Sequence, residues 1–221
     1  MRKYILPLLV CALAASACGL KDDFTAQNLT DLVTVQDNHV LMNDYGVPYY
    51  VTSDLTDGKY VVNDRLLILF DVTNRNYDIT LKTYLKSTIL KPVPVENDEP
   101  SDFKDPVIIQ ASSISGGYVN LQFSYYRKKD SSYEHRIFME YKDDTRSNFL
   151  NLFLLHDGNG ENPTNFSTDQ LEEVYVLYSF PIYDLIPSGE SRMIDLTLYE
   201  LLNDNSVSKT THRLYDQTIN F

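Results

Sequence analysis

Four histidines, two cysteines and a few serine, lysine and acidic clusters are the groups in this 221-residue chain that could carry chemistry. His39, His135, His156 and His212 stand far apart, and no pair has the separation that places two ligands on one helix face. No zinc motif is read, and only folding could bring the rings together. His156-Asp157 beside a serine would suggest a hydrolase, yet the chain has no Gly-x-Ser-x-Gly elbow to hold a nucleophile. Ser101-Asp102-Phe103-Lys104 and Ser206-Val207-Ser208-Lys209 match Ser-x-x-Lys. That chemistry needs the serine opening a helix with the lysine one turn on, whereas the first match lies in a proline-rich stretch and the second in a β-pattern. Asp157-Gly158-Asn159-Gly160-Glu161-Asn162 is rich in oxygen donors. An EF-hand register would want Asp or Asn fifth, Gly sixth and Glu twelfth, where this chain has Glu161, Asn162 and Thr168. These patterns give no catalytic residue, no metal ligand and no cofactor.

The cysteine that does carry a signal is Cys18. Arg2 and Lys3 precede an apolar stretch from Tyr4 to Ala14, and the small residues Ala15-Ser16-Ala17 lead directly to Cys18. Residues 1–17 read as a secretory signal peptide. Their apolar stretch is shorter than the roughly 20 residues a membrane span needs. Small residues before a cysteine resemble a lipobox, with Ala15 where leucine is usual, and the Cys18 thiol would then carry diacylglycerol. The other reading is ordinary cleavage that leaves a free thiol. With Cys11 removed no internal disulfide is possible, and a lone terminal cysteine needs a role. Acylation supplies one, since each buried methylene contributes about 0.8 kcal/mol and two chains anchor stably. Lys21, Asp22 and Asp23 follow closely and resemble the acidic export signal of surface lipoproteins in the Bacteroidetes. Residues 18–29 read as an acidic tether. The address expected is the outer membrane, lipid-anchored and facing the cell surface, with the periplasmic face as the alternative.

Charge narrows the partners. The chain has 19 Lys and Arg against 31 Asp and Glu, a formal net charge of -12. Removing residues 1–17 loses Arg2 and Lys3 and no acid, which leaves 17 bases against 31 acids and a charge of -14. Nucleic acid is excluded, because phosphates call for clustered Lys and Arg. The membrane is reached through the lipidated N-terminus, and any further partner is an unidentified protein or glycan.

The elements that must position such a partner are all β, read as a small OB-like barrel followed by an antiparallel β-sandwich. Residues 92–106 hold four prolines and five acids and form a connection. They separate a barrel block, 30–91, from a sandwich block, 107–221. In the first block Leu32–Val35, Val40–Met42, Tyr49–Val51, Arg65–Thr73 and Tyr77–Leu85 read as five strands, which suits a small closed barrel. Leu66 to Phe70 is too apolar for a surface strand. From Tyr77 to Leu85 the alternation predicts Tyr77, Ile79, Leu81, Thr83 and Leu85 on one face. The second block gives seven strands: Val107–Ile109, Tyr118–Tyr126, His135–Tyr141, Phe149–Leu155, Val174–Phe180, Met193–Leu201 and Ser208–Tyr215. Residues 127–132 read as a polar hairpin loop joining two of them. A short helix capped by Ser167 or Thr168 is expected over Ser167–Glu173.

Tyrosine is over-used: 17 residues against no tryptophan. Tyr49-Tyr50 and Tyr125-Tyr126 are adjacent pairs, so each pair sends one ring to each sheet face. Packing across strands is the plain explanation, and a stacking surface for glycan or protein is the functional one.

Gly117-Tyr118-Val119-Asn120-Leu121-Gln122-Phe123 and Leu152-Phe153-Leu154-Leu155-His156, with the closing strands around Ile194 to Tyr199 and His212 to Tyr215, resemble the NigD-like lipoproteins of the Bacteroidetes. The resemblance covers essentially the whole mature chain and implies an N-terminal OB domain with a C-terminal β-sandwich. It implies no catalytic residue, since its motifs are structural. The function expected is a non-catalytic binding or accessory lipoprotein of the cell envelope. Self-protection against a bacteriocin is one alternative, and an envelope hydrolase without a recognisable motif is the other.

Overall fold

The computed structural model describes residues 25–37, 39–144, 148–161, 163–186 and 192–214. Cys18, Lys21, Asp22 and Asp23 lie outside the described residues. Alternating β-branched and aromatic residues in the first block produce β1 (Ala26–Asp37), β2 (Val40–Asn43), β3 (Pro48–Asp54), β4 (Arg65–Val72) and β5 (Asp78–Lys86). These close into a barrel in the order β1-β2-β3-β5-β4. β1 begins inside the stretch read as tether, because Leu29 and Thr30 already pair with Phe70 and Leu69. The barrel is filled by Val33, Val35, Leu41, Leu66, Ile68, Phe70, Ile79 and Leu81, each essentially inaccessible. Burying each of these side chains stabilises the fold by about 1.5–3 kcal/mol before entropy is counted.

The regular alternation expected along Tyr77–Leu85 fails halfway. Leu69 pairs with Thr83 but Phe70 with Leu81, so Lys82 is an extra residue bulged out of the ladder. A one-residue slip moves every later side chain to the opposite face. Leu85 therefore ends 43% exposed, while Tyr84 turns inward and packs edge-on against Tyr60 at 5.5 Å.

β6 (Thr88–Ile89) and β7 (Val93–Pro94) follow, and then β8 (Ile108–Ser115), β9 (Tyr118–Lys128), β10 (Arg136–Asp144), β11 (Phe149–Asp157), β12 (Leu171–Pro181), β13 (Met193–Leu201) and β14 (Val207–Leu214). They form two sheets, β14-β13-β11-β10-β7 and β6-β12-β9-β8. Most pairs are antiparallel, with β11 and β13 parallel at the centre of the larger sheet. Leu121, Phe123, Leu152, Leu154, Leu196 and Leu198 meet between the sheets. The proline-rich connection is bound to the sandwich: β7 pairs with β10, and the Ser101 amide donates to Glu140 at 2.9 Å.

Residues 127–132 do not make a hairpin. β9 pairs with β12 and β10 with β11, so this segment crosses from one sheet to the other. The tight hairpin is instead β8–β9, through Gly116 and Gly117 at φ +56° and +78°. Two successive positive φ values are what a two-residue turn between right-twisted strands requires. The helix expected at Ser167–Glu173 shrinks to a 3₁₀ turn over Thr168–Gln170, and Leu171 to Glu173 already belong to β12.

Barrel and sandwich meet around Arg65, which is 1% exposed. Its guanidinium forms a fork with Asp44, Nη1 to Oδ1 at 2.7 Å and Nη2 to Oδ2 at 2.6 Å. Nε donates to Asn120 Oδ1 and Ser179 Oγ, both at 3.1 Å. The Tyr118 ring lies against the guanidinium, 4.3 Å from ring centre to Cζ. Asp44 also accepts from Ser115 Oγ at 2.5 Å. A buried charge persists only when paired and hydrogen-bonded in this way. Gly116 is part of the same fit, because a Cβ there would stand 2.5 Å from Asp44 Oδ1. Gly116→Ala is expected to lower stability by about 2 kcal/mol through left-handed backbone and a displaced Asp44. A urea midpoint unchanged from the parent would contradict this.

Candidate functional site

The barrel rests on the outer face of the β6-β12-β9-β8 sheet and leaves a cleft of about 240 Å³ beside β8. Five consecutive β8 residues, Ala111 to Ser115, line it. Neighbouring residues of a strand point to opposite faces, so a cleft that touches all five meets the backbone of β8 as well as its outward side chains. Asn120, Gln122 and Leu177 form its back, and Asp31, Leu32, Leu67 and Tyr45 form the facing wall from the barrel. This explains why Leu66 to Phe70 is apolar on both faces: Leu66 fills the barrel while Leu67 faces the cleft. Asp31 is held by Tyr49 Oη at 2.7 Å and Asn43 Nδ2 at 3.0 Å. Among the described residues no cation pairs with it. Arg65 and Asp44 stand at the end of the cleft and fix its two walls relative to each other.

The four tyrosines singled out from sequence do not form one surface. Tyr49 is 9% exposed and packs on Phe70, whereas Tyr50 is 44% exposed on the outside of the barrel. Tyr125 stacks on His135 with ring centres 5.1 Å apart, and Tyr126 lies on the outer sheet face opposite Glu173. Each pair does split between two faces, but one pair belongs to each domain. The Ser-x-x-Lys matches are not constellations either. Ser101 Oγ donates to Glu140 and Lys104 pairs with Asp102, while Ser206 Oγ donates to Asp204.

Folding does bring two histidines together. His135 Nδ1 lies 2.9 Å from His156 Nε2, His135 Nε2 lies 3.1 Å from Glu161 Oε2, and His156 Nδ1 faces the Pro106 carbonyl at 3.3 Å. With a proton on His156 Nδ1 for that carbonyl, Nε2 accepts and His135 Nδ1 donates. Burial, and then the neighbouring His135, push His156 down to about 4. Burial alone would raise Glu161, but the Ser131 hydroxyl, the Lys128 amide and His135 hold it below its ordinary value. Asp157 is likewise lowered despite burial, by Arg136 and the Tyr133 hydroxyl. Asp105 Oδ2 accepts the Gly158 amide at 2.8 Å and the Gly160 amide at 3.3 Å. The carboxylates of Asp157 and Glu161 are thus engaged by the protein itself. Among the described residues no hydroxyl hydrogen-bonds to His135 or His156, and no group of three or more His, Cys, Asp or Glu could hold a metal ion. The cluster ties the proline-rich connection, the segment before β10 and the loop after β11 into one unit.

Sequence reasoning missed Arg65 and the edge of β8. A lone arginine opening an apolar strand was the available signal for the first. For the second it was Gly116-Gly117 between two β-patterns.

Residues 91–209, more than half of the chain, match the family described as the NigD-like C-terminal beta sandwich domain. Among solved structures, a protein of unknown function from Bacteroides vulgatus superposes with a TM-score of 0.66 at 16% identity, covering 89% of this chain and 92% of that one. A NigD-like immunity protein from Bacteroides caccae gives 0.61 at 18% identity, covering 83% and 91%. A candidate lipoprotein from Bacteroides fragilis gives 0.59 at 14% identity, covering 88% and 100%. These likenesses are of fold. No curated protein matches the chain.

Proposed function

We propose that this chain, which belongs to the NigD-like family, is a cell-envelope lipoprotein anchored through Cys18 that acts as a non-catalytic binding module. The observation that carries the binding role is the cleft between barrel and sandwich. Its walls are fixed by a fully paired buried charge, and among the described residues no cation pairs with Asp31 in its lining. The reactive-looking groups elsewhere are engaged by the protein: His135 bonds His156 and Glu161, and Asp157 is held by Arg136 and Tyr133. The lipobox-like Ala15-Ser16-Ala17-Cys18 supports the anchor, and the acidic Lys21-Asp22-Asp23 supports display at the outer surface. The fold likeness to a candidate lipoprotein supports the anchor.

Mass spectrometry of the mature N-terminus should find Cys18 carrying a diacylglyceryl thioether, and Cys18→Ser should release the protein into the soluble fraction. A mature chain that begins at Ser16 or Gly19 without lipid would overturn the anchor. Protease added to intact cells should digest the body if it faces outward and spare it if it faces the periplasm. A second reading, self-protection against a secreted toxin, is favoured by the name of the Bacteroides caccae relative. It predicts that a deletion strain becomes sensitive to supernatant from a producer, and unchanged sensitivity removes it.

A further inference from the structure

We propose that the groove between the proline-rich connection and the outer face of the β14-β13-β11-β10-β7 sheet binds a neutral sugar residue of a glycan, with Tyr199 and Phe153 against its apolar face and Lys209 and Glu99 on its hydroxyls. The groove lies across the sandwich from the cleft between the domains, so this inference goes beyond the reading above and stands apart from it. The connection crosses the outer face of that sheet, where Ser101 is held by Glu140 and Phe103 stacks on Phe138 with ring centres 5.4 Å apart. Beside it the parallel ladder of β11 and β13 stops at Phe153 and Thr197. β13 runs on to Leu201 and takes Val107 as its next neighbour, at Glu200. Parallel strands that part at their carboxyl ends leave a crevice, the geometry that holds ligands at the switch points of α/β sheets. The groove here measures about 400 Å³, within the roughly 300–1,000 Å³ of ordinary ligand sites.

Strand register decides which side chains line it. Leu152, Leu154, Leu196 and Leu198 fill the core between the sheets, so Phe153, Thr197 and Tyr199 stand on the opposite face. Lys209 stands beside Tyr199 as its cross-strand partner. Phe153 and Tyr199 are half-buried and give the groove an aromatic floor. Among the described residues neither the Tyr199 hydroxyl nor the Lys209 ammonium has a hydrogen bond or an ion pair. Glu99 and Asp102 share the rim with Lys104 and Lys209, two charges of each sign. Lys104 is raised above its ordinary value first by its bond to Asp102, with a smaller contribution from Tyr199, which sets phenol and ammonium near one another. The bond between Asp102 and Lys104 is exposed and worth little, so both side chains are free to turn to a ligand. A rim balanced in this way disfavours net charge, because an anion meets two carboxylates and a cation two ammoniums. Carboxylates accept from hydroxyls and ammoniums donate to them, while aromatic rings cover an apolar C–H face. A neutral sugar ring offers both.

The test titrates the mature full chain by calorimetry with neutral trisaccharides of glucose, mannose and N-acetylglucosamine, and with a trimer of galacturonate as the anionic counterpart. At least one neutral sugar should bind, and the acidic trimer should bind at least tenfold more weakly. Tyr199→Leu keeps apolar bulk on the strand but removes the ring, and it should weaken binding at least tenfold. Lys209→Ala should weaken it several-fold while the melting temperature stays near that of the parent, since this side chain is exposed. Tyr175→Ala, at an exposed tyrosine of the other sheet, should leave binding unchanged. If Tyr199→Leu fails to fold, Lys209→Ala and Glu99→Ala still decide the matter. No binding by any neutral trisaccharide overturns the proposal, and so does equal binding of the acidic trimer. Binding that survives Tyr199→Leu and Lys209→Ala but is lost in Leu67→Arg puts the sugar in the cleft between the domains, which removes this site and keeps the binding-module reading. An unlipidated Cys18 removes the anchor and leaves the sugar result standing.

Discussion

Replacing Arg65 by alanine is expected to cost about 3–5 kcal/mol of stability, because it leaves the Asp44 carboxylate buried without its cation. Asp44 has only 5% of its side chain accessible, and its partner 1%. The same change strips Asn120 and Ser179 of a donor and Tyr118 of the cation on its face. For a chain of this size the loss corresponds to a melting temperature lower by roughly 10 °C. These groups come from both domains, so the single cooperative transition should also split, with barrel and sandwich unfolding separately. The double variant Arg65→Met, Asp44→Leu removes both charges and should recover much of the loss, since a well-packed apolar replacement of a buried pair is often neutral. Calorimetry of the three variants checks this. Additive losses in the double variant would mean that the two side chains do not act on each other.

Stability is expected to fall by about 3 kcal/mol as pH drops from 6.5 to 4, through His156. In the folded chain burial and His135 hold this imidazole neutral down to about 4, while the unfolded chain takes up its proton near the ordinary value of 6.5. Between those values the unfolded state binds more protons, so acid favours unfolding. Above 6.5 the effect is absent, and below 4 it is complete. Asp157 and Glu161, both lowered, add their losses only at the acid end of this window and below it. Urea titrations at pH 7 and pH 4.5 would show the drop, and His156→Gln should flatten the slope between them. An equal slope in that variant would place the titration elsewhere.

The strands were legible because they rest on local pattern, although Thr88 and Ile89, read with the barrel block, pair with β12 of the sandwich. Leu66 to Phe70 is too apolar for a surface strand, and the prolines of residues 92–106 announce a connection. Tyr84 and Leu85 were read on the wrong faces because a bulge at Lys82 is a property of the ladder and leaves no mark in the alternation itself. The segment 127–132 was misread as a hairpin for a related reason: a polar loop says that the chain turns, and only the partner strands say onto which sheet. His135 and His156 were visible as residues, but their contact depends on register, with Ile137 opposite His156 in the β10–β11 pair.

By itself the sequence determined that this is an acidic, all-β chain with a small barrel and a β-sandwich. These follow from composition and from side-chain period, which each residue carries wherever the chain goes. Tertiary structure alone decided that Arg65 locks one domain to the other and that Gly116 clears room for Asp44. It also decided that a cleft lies between Leu67 of the barrel and Gln122 of the sandwich. Those facts depend on groups 21 to 114 residues apart in the chain, which hydrophobic burial packs together only when both sheets have formed.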